Sequence, residues 1–472
     1  MGNTVRYLVI GGGISGLAAA WELVQHVPAA EVTVLDASDR PGGKLRGARV
    51  SGVGVDVGAE SVLARRTEAL DLIAEVGLGE RLVHPTGASA AIWSRGELHP
   101  IPRQTLLGVP ADPADLGSLL TPQEIARISA EVPDPVAAQD ISVGELVAAR
   151  LGDAVVDRLV EPLLGGVYAG HARRISAAAA APALLTAARA GESLVSTAAR
   201  AVPAPPTESA SPRPPVFAGL EGGLHQLPAA LVERLTERGV VVRSGTIVRE
   251  LHRTDQGWQV VSGPVPSPEV HEADRVVLAL PPAPAARLLR DVAPEASGAL
   301  SIVETASMAV LTFAFAASEL PTLNGSGFLV PPRDGRFIKA ATFSAAKWDW
   351  VRAHGVGAGL DGEDVVLLRA SVGRHREEAS LQHPDPVLLD RALADLSLAI
   401  GSALPTPVAR HVRRWGGGLP QYAVGHLDLV ATVKAGVAAC PGLAVAGAAY
   451  DGVGIPACIG SGRAAARQVL ST

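Results

Sequence analysis

Tyr7-Leu8-Val9-Ile10-Gly11-Gly12-Gly13-Ile14-Ser15-Gly16-Leu17-Ala18-Ala19-Ala20 decides the fold of this chain. Four apolar residues run into Gly-x-Gly-x-x-Gly, and an alanine-rich helical pattern follows. That order predicts a buried parallel strand, a tight turn and a helix. Each glycine has a physical job. Gly11 lets the chain turn sharply off the strand. Gly13 lets a pyrophosphate approach the backbone, and Gly16 lets the helix pack close to the sheet. The free N–H groups at the helix start face the phosphates, and the helix dipole favours their charge.

The next element agrees. Glu31-Val32-Thr33-Val34-Leu35 reads as a second strand, closed by Asp36, 20 residues after Gly16. An acid at that place accepts hydrogen bonds from ribose hydroxyls. Strand, glycine turn, helix, strand and acid together predict a doubly wound α/β unit that binds a dinucleotide.

Composition limits the rest. A chain of 472 residues implies two or three domains. With 48% hydrophobic and 19% charged residues it is globular, and a net charge of −6 argues against a nucleic-acid surface. Only four of the 41 basic residues are lysines, Lys44, Lys339, Lys347 and Lys434. Two cysteines, Cys440 and Cys458, make no disulfide framework, so a reducing, cytoplasmic setting is expected. No run reaches the ~18–20 apolar residues that span a bilayer. The nearest, 175–190, is interrupted by Pro182 and carries Arg189. Attachment to one leaflet stays open, and no metal site is expected.

Along the chain, Ser38-Asp39-Arg40-Pro41-Gly42-Gly43-Lys44 forms a backbone-lined anion site, with Arg40 and Lys44 facing pyrophosphate or a substrate acid. Residues 53–57 lead to Asp56-Val57-Gly58-Ala59-Glu60-Ser61, where small residues let a flat ring lie against the backbone. A helix is expected over 67–76 and a hairpin over 91–99, turning on Arg95-Gly96. Residues 100–200 read as mostly helical. Thr121-Pro122-Gln123-Glu124 is a helix start, and Ser142 and Glu145 look like reciprocal caps. The proline-rich stretch 201–215 is a linker. Strands at 240–242, 246–248, 258–261 and 275–280 suggest that the chain then returns to its first sheet. Strands near 308–315 and 365–371, with a helix over 386–400, read as a substrate-facing floor. A last strand at 443–447 precedes Tyr450-Asp451-Gly452-Val453-Gly454-Ile455-Pro456, with a terminal helix from about Ser461. This second glycine-rich helix start suits an isoalloxazine edge, where reduction leaves negative charge.

With both ends read, a family resemblance emerges. GGGISGLAAAWEL (11–23) and VTVLDASDRPGGK (32–44) resemble the FAD fingerprint of the monoamine oxidase, phytoene desaturase and protoporphyrinogen oxidase superfamily. DVGAES (56–61), EPLLGGVYAG (161–170), ATFSAAKW (341–348) and YDGVGIP (450–456) are similar to the protoporphyrinogen and coproporphyrinogen III oxidases of the haem pathway. The resemblance implies an FAD-binding, Rossmann-type domain from 1–83, 216–294 and 411–472. It implies a mixed-sheet substrate domain from 84–100 and 295–410, and an inserted helical lobe, 101–200, for membrane or substrate access.

It also implies non-covalent FAD and O2-dependent oxidation of coproporphyrinogen III to coproporphyrin III. Hydride passes to flavin N5, six electrons are removed in all, and H2O2 is released. Protoporphyrinogen IX is the alternative substrate. An amine oxidase on the same fold and a flavin-binding partner without turnover are the other readings. A ferrochelatase is the implied receiver of product, and peripheral contact with the inner face of the membrane is an implied option.

Position by position, the resemblance puts FAD against Gly11, Gly12, Gly13, Ile14, Ser15, Gly16, Asp36, Ala37, Lys44, Gly58, Ala59, Glu60 and Ser61. Val248 would meet the adenine side, Trp415 the flavin region, and Val453, Gly454 and Ile455 the terminal helix start. Asp36 departs slightly, since the superfamily often has Glu there. The backbone of Gly166 would lie near the reacting carbon, unless that glycine only serves a turn before Tyr168. Candidate propionate clamps are Arg103, Arg173, Arg174 and Lys347, with surface cations as the plain alternative. Tyr168 and Trp348 would pack against the macrocycle or simply in the core.

Overall fold

The computed structural model describes residues 4–102, 104–202 and 215–472. Most of the proline-rich linker, and Arg103, lie outside the described residues. The apolar run Arg6–Ile10 is the middle strand of a five-stranded, all-parallel sheet. Its order is Val241–Arg243, Glu31–Leu35, Arg6–Ile10, Arg275–Leu278, Leu443–Val445. In chain order this is 3-2-1-4-5. The chain winds outward one way, then returns to the far side of its first strand. The switch point therefore lies at the carboxyl end of Arg6–Ile10, where Ile10 pairs with both Leu35 and Leu278.

Both faces of this sheet are covered, as a parallel sheet requires. Helices Ile14–His26, Gln226–Glu237 and Ile455–Leu470 bury Leu17, Leu23, Leu231, Leu235 and Ile459 on one side. Helices Pro282–Leu289, Pro294–Ile302 and His426–Ala438 cover the other, with the antiparallel strands Val248–Thr254, Gly257–Ser262 and Glu269–Ala273.

The second domain is a seven-stranded sheet ordered Ala409–Pro420, Thr305–Ala316, Val365–Val372, Ile338–Phe343, Gly327–Leu329, Ala90–Ser94, Glu97–Pro100. All neighbours are antiparallel except Gly327–Leu329 with Ala90–Ser94. One face buries Phe313, Phe315, Phe343 and Leu368 with Leu388 and Leu396 of helix Asp385–Ile400. The other face carries Arg369 and Trp415, which bond the backbone of Gly58 and Val57 in the first domain.

The lobe of short helices has its own core of Leu146, Val147, Leu159, Leu164, Leu184 and Leu194. Helix Pro122–Ser129 starts with a capping box between Thr121 and Glu124. At Ser142 the reciprocal caps expected from sequence do not form. The Ser142 hydroxyl accepts from the Glu145 N–H, but Glu145 accepts from that same hydroxyl instead of the Ser142 backbone.

Three boundaries are corrected. Strand Ala409–Pro420 pairs along Thr305–Ala316, so the second domain's sheet continues well past residue 411. Helix Pro294–Ile302 packs Ala296, Ala299 and Leu300 into the first domain's core, so that domain runs past 294. The terminal helix begins at Ile455, not near Ser461, because Pro456 occupies its first turn and starts the helix instead of breaking it. Among the described residues no helix is long and apolar enough to cross a membrane.

Candidate functional site

The site is built on the glycine turn. Gly11 has φ +108°, open to glycine, and its N–H donates to the Leu35 carbonyl at 2.8 Å. A Cβ on Gly16 would lie on the Gly11 carbonyl oxygen, so helix and turn are in backbone contact there. Gly13 caps the helix with extended backbone and no side-chain cap, and a Cβ on it would meet only the Gly43 Cα, at 4.0 Å. Its neighbours Ile14 and Ser15 open the helix.

Asp36 braces this turn. Its Oδ2 accepts from the Gly12 N–H at 2.5 Å and its Oδ1 from the Ser38 N–H at 2.7 Å. Each oxygen keeps a lone pair for a ribose hydroxyl. Ala37 is exposed beside it. The Asp36 carbonyl accepts from the Thr246 N–H at 2.8 Å, which brings Val248 alongside. The Gly42 N–H donates to the Gly12 carbonyl at 2.8 Å, stitching the basic loop to the turn. From that loop the buried Arg46 reaches the carbonyls of Arg40 at 2.6 Å and Gly43 at 3.3 Å, while its Nη1 has no partner among the described residues. An orphaned guanidinium N–H beside a glycine turn fits a pyrophosphate oxygen.

The two helix starts converge. Lys44 is walled in closely enough that burial pulls its ammonium below the ordinary value, with Cys458 opposing. Its side chain is nevertheless open to solvent. Burial pushes the Cys458 thiol up, while Lys44 and Ser15 draw it down. Cys458 lies in the first turn of the terminal helix, capped by Gly454. A Cβ on Gly462 of that helix would overlap the Ser15 carbonyl. Val453-Gly454-Ile455 and Gly13-Ile14-Ser15 are thus held in one site.

Beside the basic loop, a Cβ on Gly58 would meet the Lys44 carbonyl and come within 3.1 Å of the Trp415 ring. The Trp415 indole donates to the Val57 carbonyl at 3.0 Å, and the Ala59 N–H to the Lys44 carbonyl at 3.3 Å. Ser61 follows on the same half-buried segment. Small residues and a fixed indole leave a slot suited to a planar ring. Glu60, between them, points across the domain boundary to Lys347, at 2.5 Å, and to Arg369. Burial alone would raise its carboxyl, but Arg369 and Lys347 hold it at about 2.

Lys347 is therefore already paired with Glu60, which removes the geometric support for a propionate clamp there. Trp348 is a core residue with Val351 and Leu367. Arg173 pairs with Asp153 at 2.9 Å and Asp157 at 2.7 Å on the surface, and Arg174 is exposed beside it. Gly166 lies inside helix Glu161–Tyr168, not in a turn, and the helix ends at left-handed Ala169. A Cβ on Gly166 would stand 3.9 Å from Leu329 of the substrate sheet. The Tyr168 ring is buried 5.5 Å from Tyr422, and burial pushes its hydroxyl up to about 12.

The cations beside Leu329 are two that the sequence reading passed over. The Lys339 carbonyl accepts from the Val330 N–H at 2.9 Å, and Arg374 donates to the Val330 carbonyl at 3.0 Å. Both side chains are buried. The available signal was a rare lysine set inside the apolar strand Ile338–Phe343.

Residues 14–470 match the family described as flavin containing amine oxidoreductase. The chain belongs to that family. As a flavin-containing amine oxidoreductase family member it is an oxidoreductase that uses a flavin. The coproporphyrinogen III oxidase of Mycobacterium tuberculosis is 39% identical over 98% of this chain and 97% of its own length. The protoporphyrinogen oxidase of Macaca fascicularis is 30% identical over 100% of this chain and 99% of its own. A solved Exiguobacterium protein, provisionally named a protoporphyrinogen oxidase, superposes with a TM-score of 0.84 at 34% identity and full coverage of both chains.

Proposed function

We propose that this protein oxidises coproporphyrinogen III to coproporphyrin III, using non-covalently bound FAD and O2. The observation that carries the reading is the full-length likeness to the mycobacterial coproporphyrinogen III oxidase, at 39% identity. The residues present fit FAD. Two uncapped helix starts, at Gly13 and Gly454, suit its pyrophosphate and its ring, and the orphaned Arg46 Nη1 suits a phosphate oxygen. Asp36 would hold the ribose, Val248 would face the adenine, and Trp415 with Gly58 would wall the ring.

When bound, FAD supplies the two-electron acceptor that takes hydride and returns electrons to O2 as H2O2. The chain's own work is to hold and shield the macrocycle. Gly166 is exposed on helix Glu161–Tyr168 and carries no side chain, so a flat ring can approach that backbone from its open side, beside Leu329. Loss of hydride from an electron-rich pyrrolic system depends on position more than on an acid. Hand-over of product to a ferrochelatase and contact with the inner face of the membrane belong to the same proposal.

The test is turnover by FAD-loaded protein under O2, followed by porphyrin fluorescence and peroxide release. Appearance of coproporphyrin faster than protoporphyrin supports the reading. The full-length likeness to the macaque enzyme makes protoporphyrinogen IX the second reading, and a reversed rate order selects it. No porphyrin from either substrate would overturn both.

A further inference from the structure

We propose that Lys339 and Arg374 form a seat for a carboxylate of the substrate, set in the wall of the site that faces Gly166. The proposal rests on the porphyrinogen reading and adds where that substrate's acid is held.

The argument begins with two buried cations that lack an adequate counter-charge. Lys339 and Arg374 are each 6% exposed. Among the described residues the Lys339 ammonium finds one partner, the Met308 thioether sulfur at 3.8 Å. That is a weak acceptor for one of three donors. Arg374 donates to the Val330 carbonyl, and its nearest carboxylate oxygen, on the half-exposed Glu377, is 4.0 Å away. Glu161 also lies within reach of Arg374, but burial raises its carboxyl toward the neutral form, and it accepts backbone N–H groups of Ala172 and Arg173 instead. Like charges held side by side away from water are costly unless an anion joins them.

Their placement says which anion. A register shift between Ile338 and Ala340 breaks the alternation of the strand at Lys339. Ile338, Ala341 and Phe343 enter the core, while Lys339 reaches Met308. Met308 is the strand partner of Trp415. Leu329, beside the Val330 whose carbonyl accepts from the Arg374 guanidinium and whose N–H meets the Lys339 backbone, is the residue facing Gly166. Lys339 thus reaches the strand position paired with Trp415, and Arg374 lies at the strand end next to Leu329 and Gly166. A planar fork and a point charge together match one carboxylate. Coproporphyrinogen carries more propionates than protoporphyrinogen, so such a seat favours the more acidic macrocycle.

The experiment uses the full-length, FAD-loaded protein and its Lys339→Met, Lys339→Arg and Arg374→Gln variants. Binding of coproporphyrin III and of its tetramethyl ester, both in one non-ionic detergent, is read by fluorescence titration beside KM and kcat for coproporphyrinogen III. Flavin content and Tm establish folding. Lys339→Met and Arg374→Gln are expected to weaken binding of the acid, and to raise KM, about tenfold to a hundredfold. The ester should bind all forms alike, kcat should stay within a few-fold, and Lys339→Arg should recover most of the acid binding. An unchanged preference for acid over ester in the variants overturns the seat. So does a fall in kcat with a displaced pH profile and unchanged binding, which would make Lys339 a proton acceptor instead. Parent turnover with an unaltered acid preference in the variants sinks the seat alone, whereas no parent turnover sinks the functional reading beneath it.

Discussion

At the scale of residues, two ionised groups do opposite things. Glu60 ties the domains. It stands in a first-domain loop, and both of its oxygens are taken by the second domain, through Lys347 of the short helix Ser344–Lys347 and Arg369 of the sheet. Glu60→Gln leaves those cations without their carboxylate in a largely buried place, at a cost of about 3–5 kcal/mol. Urea unfolding at neutral pH measures it. The carboxyl sits at about 2 against an ordinary 4.5. Its contribution is therefore complete above pH 4.5 and is lost as pH falls toward 2. The parent should lose stability over that window more steeply than Glu60→Gln, and equal slopes would refute the tie. Lys339 works the other way. Burial first, and Arg374 second, hold its ammonium at about 7 against an ordinary 10.5. Between those values the unfolded chain keeps a proton that the folded chain releases, so stability from this site rises with pH. Its charged neighbourhood comprises Arg374 with Glu161 and Glu377 around it. Lys339→Met should stabilise the substrate-free protein by about 1–4 kcal/mol at pH 7, and the gain should shrink toward pH 10. A gain that is absent at pH 7 would mean the lysine is paired in solution.

At the scale of elements, the decisive contact is a helix crossing without a side chain. The terminal helix meets the first helix where a Cβ on Gly462 would overlap the Ser15 carbonyl. Gly462→Ala should therefore push the two helix starts apart. A cost of about 1–3 kcal/mol is expected, with a lower flavin-to-protein absorbance ratio after purification. Gly298→Ala, in a helix where an added Cβ meets nothing within 4 Å, should instead stabilise by about 0.4–1 kcal/mol and leave flavin content alone. If both variants behave alike, the crossing does not govern the site. The same elements show what was legible in the sequence. Arg6–Ile10 and Ile14–His26 could be read because hydrophobic period and glycine turn agree locally. The hairpin on Arg95-Gly96 could be read because both residues must take positive φ, +55° and +87° in the structure. Strand Ala409–Pro420 could not, because its arginines and glycines hide any alternation, and only pairing with Thr305–Ala316 makes it a strand. Lys339 stood out only as a rare lysine in an apolar strand, and the register shift that sets its direction could not be read from the sequence. The Glu60–Lys347 pair spans 287 residues, and no local pattern announces such a contact.

At the scale of the whole molecule, the first domain is made of separated pieces of chain that meet at one crevice. The glycine turn and Asp36 come from the start, the strand Arg275–Leu278 and Val248 from the middle, and the helix start at Gly454 from the end. A dinucleotide bound across the crevice as proposed would touch all three, so it should act as a clasp on the fold. In the proposed reading, the half that carries adenosine and pyrophosphate would meet the early and middle pieces, and the half that carries the ring would meet Gly58, Trp415 and the terminal helix. Linking two such halves makes the second contact intramolecular, so the joined ligand exceeds the sum of its parts. Flavin-free protein should thus show small rises in Tm with ADP and with FMN, and a larger rise with FAD than both together. At a hundred times Kd, a ligand that binds only the folded state adds about 2.7 kcal/mol. Gly462→Ala, which disturbs the meeting of the two helix starts, should shrink the FAD response toward that of ADP while leaving the ADP response in place. A rise with FMN equal to that with FAD would mean that the early glycine turn contributes nothing to holding the cofactor, and the reading of residues 11–16 would have to be abandoned.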